Sequence, residues 1–147
     1  MAALSSAVII LSFFLLMNLQ SVPAEKIRAI TPFALSPNAI VLTDYSAGKL
    51  ITATKIKFES QGFIVVHEDK GGKKGMILGY SKLLPSGESD DVVVGLSRAS
   101  KDGERLYVSL VLDNGDGKFE ARQDTAAKDN FGISVVVNFI VGSGVSY

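Results

Sequence analysis

Leu50–Ser60 reads LITATKIKFES, and just beyond it Gly62–Glu68 reads GFIVVHE. In the first stretch Leu50, Thr52, Thr54, Ile56 and Phe58 alternate with Ile51, Ala53, Lys55, Lys57 and Glu59. A period of two belongs to an extended strand, whose successive side chains point to opposite faces. The alternation predicts a strand with its lysines on a solvated face and the set from Leu50 to Phe58 turned inward. Gly62–Glu68 is rich in β-branched and aromatic residues and predicts a second strand.

The same pattern extends both ways. Asn38–Tyr45 (NAIVLTDY), Met76–Tyr80, Asp91–Leu96, Arg105–Asp113 and Phe131–Val141 complete the expected strands. Turn-forming residues fall between them: Ser46-Ala47-Gly48, Gly71-Gly72, Pro85-Ser86-Gly87, Lys101-Asp102-Gly103 and Asn114-Gly115-Asp116-Gly117. About seven short strands at such spacing predict an all-β fold, an antiparallel β-sandwich. Ala121–Lys128 is the one stretch with helical character, and it is short. Ile27–Leu35 (IRAITPFAL) is expected as an extra N-terminal strand, which Pro32 confines to an edge. Residues 25–147 form a single domain in this reading, long enough to bury a core without disulfides.

Ahead of it lies a leader. No charged side chain occurs before Glu25, and Ala7–Met17 (AVIILSFFLLM) is apolar except for Ser12. That block has the length of a signal-peptide core rather than the roughly 20 residues of a membrane span. Val22-Pro23-Ala24 places short residues where signal peptidase needs them, so cleavage is expected between Ala24 and Glu25. The block lacks a preceding Lys or Arg, which leaves two other readings open. One is an uncleaved anchor spanning the bilayer at a tilt. The other is a pilin-like subunit, although the charged, Gly-containing processing site is missing. The chain is therefore expected outside the cytoplasmic membrane, touching it only through the N-terminal segment if that segment is retained.

Composition excludes several functions. The 15 basic and 15 acidic side chains balance, so the excess positive charge of a nucleic-acid binder is lacking. Cysteine is absent, which rules out disulfides, thiolate metal sites and cysteine nucleophiles. An exported, cysteine-free domain points to a prokaryotic source. His67 is the single histidine and sits among apolar neighbours, as a half-buried strand residue would.

No catalytic motif is complete. Gly79-Tyr80-Ser81-Lys82-Leu83 starts like a nucleophile elbow but ends in Leu, and no helix follows. Ser46-Ala47-Gly48-Lys49 has the S-x-x-K spacing within a turn, without companion motifs. Gly71-Gly72-Lys73-Lys74-Gly75 lacks the Ser/Thr of a phosphate-binding loop and suits a hairpin tip. The strongest cluster is Asp113-Asn114-Gly115-Asp116-Gly117-Lys118-Phe119-Glu120. Asp113, Asp116 and Glu120 offer oxygen ligands of the kind Ca²⁺ prefers, but not at EF-hand spacing. Asn-Gly and Asp-Gly are also what tight turns demand, and a structural turn is the favoured reading. No catalytic residue and no cofactor is expected, and calcium at Asp113, Asp116 and Glu120 is the one candidate set against that reading.

Three blocks resemble a known family: Gly62–His67 (GFIVVH), Ile77–Leu96 (ILGYSKLLPSGESDDVVVGL) and Leu106–Glu120 (LYVSLVLDNGDGKFE). In this order they are similar to an immunoglobulin-like domain of unknown function found in secreted and surface proteins of archaea and some bacteria. The likeness covers about residues 36 to 142. It implies an immunoglobulin-like β-sandwich at the cell surface and brings no activity and no catalytic residues with it. The expected function is a non-catalytic, structural or adhesive surface module, binding a protein, a glycan or another copy of itself. A filament or coat subunit in which Ile27–Leu35 completes a neighbour's sheet is the alternative. An extracellular enzyme using Asp113, Asp116 and Glu120 is the weakest reading, because a catalytic site needs rigid support.

Overall fold

The structure, a computed structural model, describes residues 32–142 and 144–145. The leader and its expected cleavage point at Ala24 and Glu25 lie outside them. From Asn38 onward, each segment expected to be extended contains a strand. In chain order the elements are α1 (Pro32–Leu35), β1 (Ala39–Leu42), β2 (Leu50–Phe58), β3 (Gly62–Asp69), β4 (Lys74–Tyr80) and β5 (Gly87–Gly95). Then come β6 (Arg105–Leu112), β7 (Thr125–Ala126), β8 (Val136–Ile140) and β9 (Gly144–Val145). One sheet has the order β1-β2-β5, the other β4-β3-β6-β8-β9. β7 pairs with β6 at Val111 and Leu112, beyond the end of β8. All pairings are antiparallel, and the two sheets pack as a β-sandwich.

The buried interior is built from both sheets. Ile51, Ala53, Ile56, Phe58 and Val94 meet Ile64, Val66, Leu106, Val108, Leu110 and Phe139. This overturns part of the alternation expected for β2. Leu50 is 62% exposed while Ile51 is 2% exposed, yet Ile56 and Phe58 are also buried. The cause is a bulge. Val41 pairs with Lys55 but the next residue, Leu42, pairs with Ala53, so Thr54 is an extra residue against β1. An extra residue shifts the phase of the side chains, and the inward set changes from odd to even numbers. Across from it on β5, Asp91 adopts φ 50°, which few non-glycine residues do.

Three further expectations are corrected. Pro32–Leu35 is one helical turn rather than the end of a strand, since proline suits a helix's first position, where its missing N–H is not needed. Ala121–Lys128 is not a helix. It runs through a turn into β7, and just beyond that strand Ala127 is buried and its N–H donates to the Leu110 carbonyl at 2.9 Å. So short a helix has little stability of its own to oppose such pairing. Phe131–Val135 belongs to a turn, and strand β8 starts only at Val136. Among the described residues no helix is long and apolar enough to cross a membrane.

Gly79 allows the sandwich to close at one corner. A Cβ there would collide with the Gly95 carbonyl, and next to it Ser97 N–H donates to the Leu78 carbonyl at 2.7 Å. Strand β4 of one sheet thus meets the end of β5 in the other.

Candidate functional site

Strand β3 is buried on both faces. Ile64 and Val66 face the sandwich interior, yet Phe63 and Val65 on the opposite side are also almost inaccessible. What covers them is the segment from Asp113 to Asp124, which leaves the end of β6, crosses the outer face of the larger sheet and returns as β7. Its Phe119 ring lies 5.7 Å from that of Phe63 and 4.5 Å from that of Tyr80, centre to centre. The Asp-Asn-Gly-Asp-Gly run is a turn, as its composition suggested, and it is the start of a lid.

Carboxylates hold this lid in shape. Asp113 accepts the N–H groups of Gly115 at 3.1 Å and Gly117 at 3.1 Å. Asn114 Oδ1 accepts the Asp116 N–H at 3.0 Å, and Asp116 accepts the Lys118 N–H at 2.8 Å. Both glycines have positive φ, 105° and 74°, which lets the chain coil around the Asp113 side chain. Asp124 clamps the two ends together, accepting from Asn114 N–H at 3.2 Å and Glu120 N–H at 2.7 Å. The bonds from Asp113 to Gly115, Asn114 to Asp116 and Asp116 to Lys118 are Asx turns, and throughout the loop side chains satisfy amides that no sheet supplies.

Asp113, Asp116 and Glu120 therefore share a loop but do not converge as ligands. Among the described residues no three His, Asp or Glu side chains come together as a group able to hold a metal ion.

Beneath the lid is a hollow of about 250 Å³ whose lining includes Val65, His67, Lys74, Ser109, Phe119 and Asp124. His67 and Ser109 form its polar floor, brought together by the pairing of Val65 with Ser109 across β3 and β6. His67 Nδ1 is 3.2 Å from the Gly75 carbonyl, and Nε2 is 3.2 Å from Ser109 Oγ. A carbonyl only accepts, so the network assigns the proton to Nδ1, and Ser109 O–H donates to Nε2. Burial lowers the imidazole's pKa below 6.5, opposed by the Gly75 hydrogen bond and aided by Lys74, so His67 is neutral at pH 7.

A serine donating to a histidine is half of a nucleophilic site. The rest of this arrangement points elsewhere. Ser109 is 3% exposed in the middle of β6, flanked by β3 and β8. The following N–H, on Leu110, is committed to the Val135 carbonyl at 3.1 Å and is not aimed at a developing oxyanion. His67 and Ser109 act as a satisfied polar pair that fixes the floor under the lid. Sequence reading placed His67 on a half-buried strand, as found, but missed Ser109. Its only signal was one polar residue in the apolar run LYVSLVL.

A protein-family model described as a domain of unknown function (DUF7282) matches residues 38–138. The chain belongs to this family. In this DUF7282 domain the match starts one residue before β1 and ends within β8, so it takes in the lid, its hollow, the smaller sheet and all of the larger one but the end of β8 and β9. No curated protein and no solved structure matches the chain.

Proposed function

We propose that this DUF7282 domain is an exported, non-catalytic β-sandwich module, immunoglobulin-like in character, that works at the cell surface or in the periplasm by binding a protein, a glycan or another copy of itself. The observation that carries this reading is how the reactive side chains are used. Asp113, Asp116 and Asp124 accept loop amides, and His67 and Ser109 satisfy each other. Such a scaffold holds loops rigidly for recognition rather than leaving a group poised for chemistry. The apolar leader and the balanced charge support export without a nucleic-acid partner. Assembly by strand addition through Ile27–Leu35 has less behind it, since Pro32–Leu35 is helical and a donor strand must be extended.

Location is tested on whole cells. Protease added to intact cells, or to cells whose outer membrane alone has been permeabilised, should degrade the domain, and mass spectrometry should find a mature peptide starting at Glu25. A full-length chain protected until the cytoplasmic membrane is broken would overturn the reading.

A further inference from the structure

The turn that begins the lid also holds a reactive pair. Of the chain's five asparagines only Asn114 precedes a glycine; the others precede Leu19, Ala39, Phe131 and Phe139. A backbone nitrogen can attack the side-chain amide of the residue before it, and glycine leaves that nitrogen unobstructed by a Cβ. Asn114 Oδ1 accepts the Asp116 N–H at 3.0 Å, an Asx turn that folds the side-chain amide back over the Asn114–Gly115 peptide bond. The Gly115 N–H points to Asp113 Oδ2 at 3.1 Å. Because a peptide unit is planar, that hydrogen bond lies in the plane and leaves the face of the nitrogen open to Asn114 Cγ.

These contacts are those that cyclisation of the side chain requires. Asp113 is within a general base's reach of the Gly115 hydrogen, and the Asp116 N–H already holds the oxygen that gains charge. Asn114 and Gly115 are exposed, so water can enter and ammonia can leave. Asp116 also precedes a glycine, but its carboxylate must expel oxygen rather than ammonia, and its isomerisation leaves the mass unchanged.

We propose that Asn114 is a self-modification site, at which the Gly115 nitrogen attacks Asn114 Cγ with Asp113 as base and the product loosens the lid. The Gly115 N–H bond breaks toward Asp113 as the N–Cγ bond forms, and the Cγ=O electron pair moves onto Oδ1. Collapse of this intermediate breaks the Cγ–Nδ2 bond, and Nδ2 takes the proton from Asp113 and leaves as ammonia. Water then opens the resulting succinimide, at Cγ to give aspartate or at the backbone carbonyl to give isoaspartate. Isoaspartate routes the main chain through Cβ and Cγ. The added atom falls between the Asn114 N–H, held by Asp124 at 3.2 Å, and the Gly115 and Gly117 N–H groups held by Asp113. Either product also adds a negative charge to a loop that already carries Asp113, Asp116 and Asp124. The change consumes no substrate and happens once per chain, so it goes beyond the binding reading and does not depend on it.

Trypsin releases this site in the peptide Leu106–Lys118, which contains no other Asn or Gln. Incubated folded at neutral pH, the full chain should convert that peptide to its acid form, with aspartate and isoaspartate resolved by chromatography before mass spectrometry. Conversion should be several-fold faster than in the same chain unfolded in guanidinium chloride. It should be nearly independent of pH around neutrality, where a carboxylate base is already ionised, while the unfolded chain follows hydroxide concentration. Asp113→Ser, whose hydroxyl can accept the Gly115 hydrogen bond but not the proton, should slow the folded chain several-fold. Hydrogen exchange at Glu120 should quicken as isoaspartate accumulates, and unchanged exchange overturns the effect on the lid. Conversion no faster in the folded than in the unfolded chain overturns the proposal, and so does a product of aspartate alone, the mark of direct hydrolysis. A folded rate proportional to hydroxide also overturns it by removing Asp113 as base. That profile is read on the parent chain, so a loop merely loosened by Asp113→Ser cannot imitate it.

Discussion

The hydroxyl of Ser109 donates to Nε2 of His67 across 3.2 Å, joining β6 to β3 on the outer face of the larger sheet. This pair is the floor on which the Asp113–Asp124 lid closes, and it makes the lid sensitive to proton concentration.

His67 is neutral in the folded state because burial disfavours its charged form and holds its pKa below 6.5. The unfolded chain takes up the proton first as pH falls. Stability is thus fully present above pH 6.5 and is lost as pH drops from there through the folded-state value. Melting curves between pH 7.5 and about 5 should show this loss, and His67→Gln should flatten the profile in that window. Glu104 is held below 4.5 by its hydrogen bond from the Arg98 guanidinium, so it does not mask the effect.

Asp124 is the clamp of the lid. Asp124→Ala leaves the amides of Asn114 and Glu120 without their acceptor and should cost about 1–3 kcal/mol. Asp124→Asn keeps one acceptor oxygen and should cost less. Hydrogen exchange at Asn114 and Glu120 should accelerate in the alanine variant, while amides of β2 in the other sheet stay protected. Uniform acceleration across both sheets would refute a local clamp.

Gly79 and Gly95 should respond in opposite ways to the same change. A Cβ at Gly79 meets the Gly95 carbonyl, whereas one at Gly95 meets nothing within 4 Å. Gly79→Ala should destabilise by about 1–3 kcal/mol, as overpacking does. Gly95→Ala should stay within about 0.5 kcal/mol of the parent. Equal effects in denaturant titration would mean that the two sheets do not close at this corner.

Calcium should not stabilise the domain, since Asp113 and Asp116 are already committed to backbone amides. Ligand present at 100 times its dissociation constant would add about 2.7 kcal/mol, a shift of several degrees in Tm. Calorimetric titration with millimolar Ca²⁺ should give no heat, and Tm should not move. A clear rise would show that the loop rearranges to release its carboxylates.

The strands were readable because period-two patterning and turn residues are local properties. LITATKIKFES, GFIVVHE and LYVSLVLDN each contain the strand expected of them, and Gly-rich turns separate most neighbours. The face of β2 was harder to read. Nothing in Thr54 announces an extra residue, because a bulge depends on how β1 pairs beside it. The lid was hidden for a similar reason. Asn-Gly and Asp-Gly specify tight turns, but not that Phe119 then folds back onto Phe63 and Tyr80.

What the sequence determined by itself is the all-β class, the order of the main strands and most of the places where the chain turns. These follow from short-range sterics and from the two faces of an extended chain. Tertiary structure alone decided which face of β2 is buried, that His67 meets Ser109, and that acidic loop residues serve as turn acceptors. Those outcomes depend on pairing between residues far apart in the chain, such as His67 with Ser109, and the energy of a contact exists only once both partners have arrived.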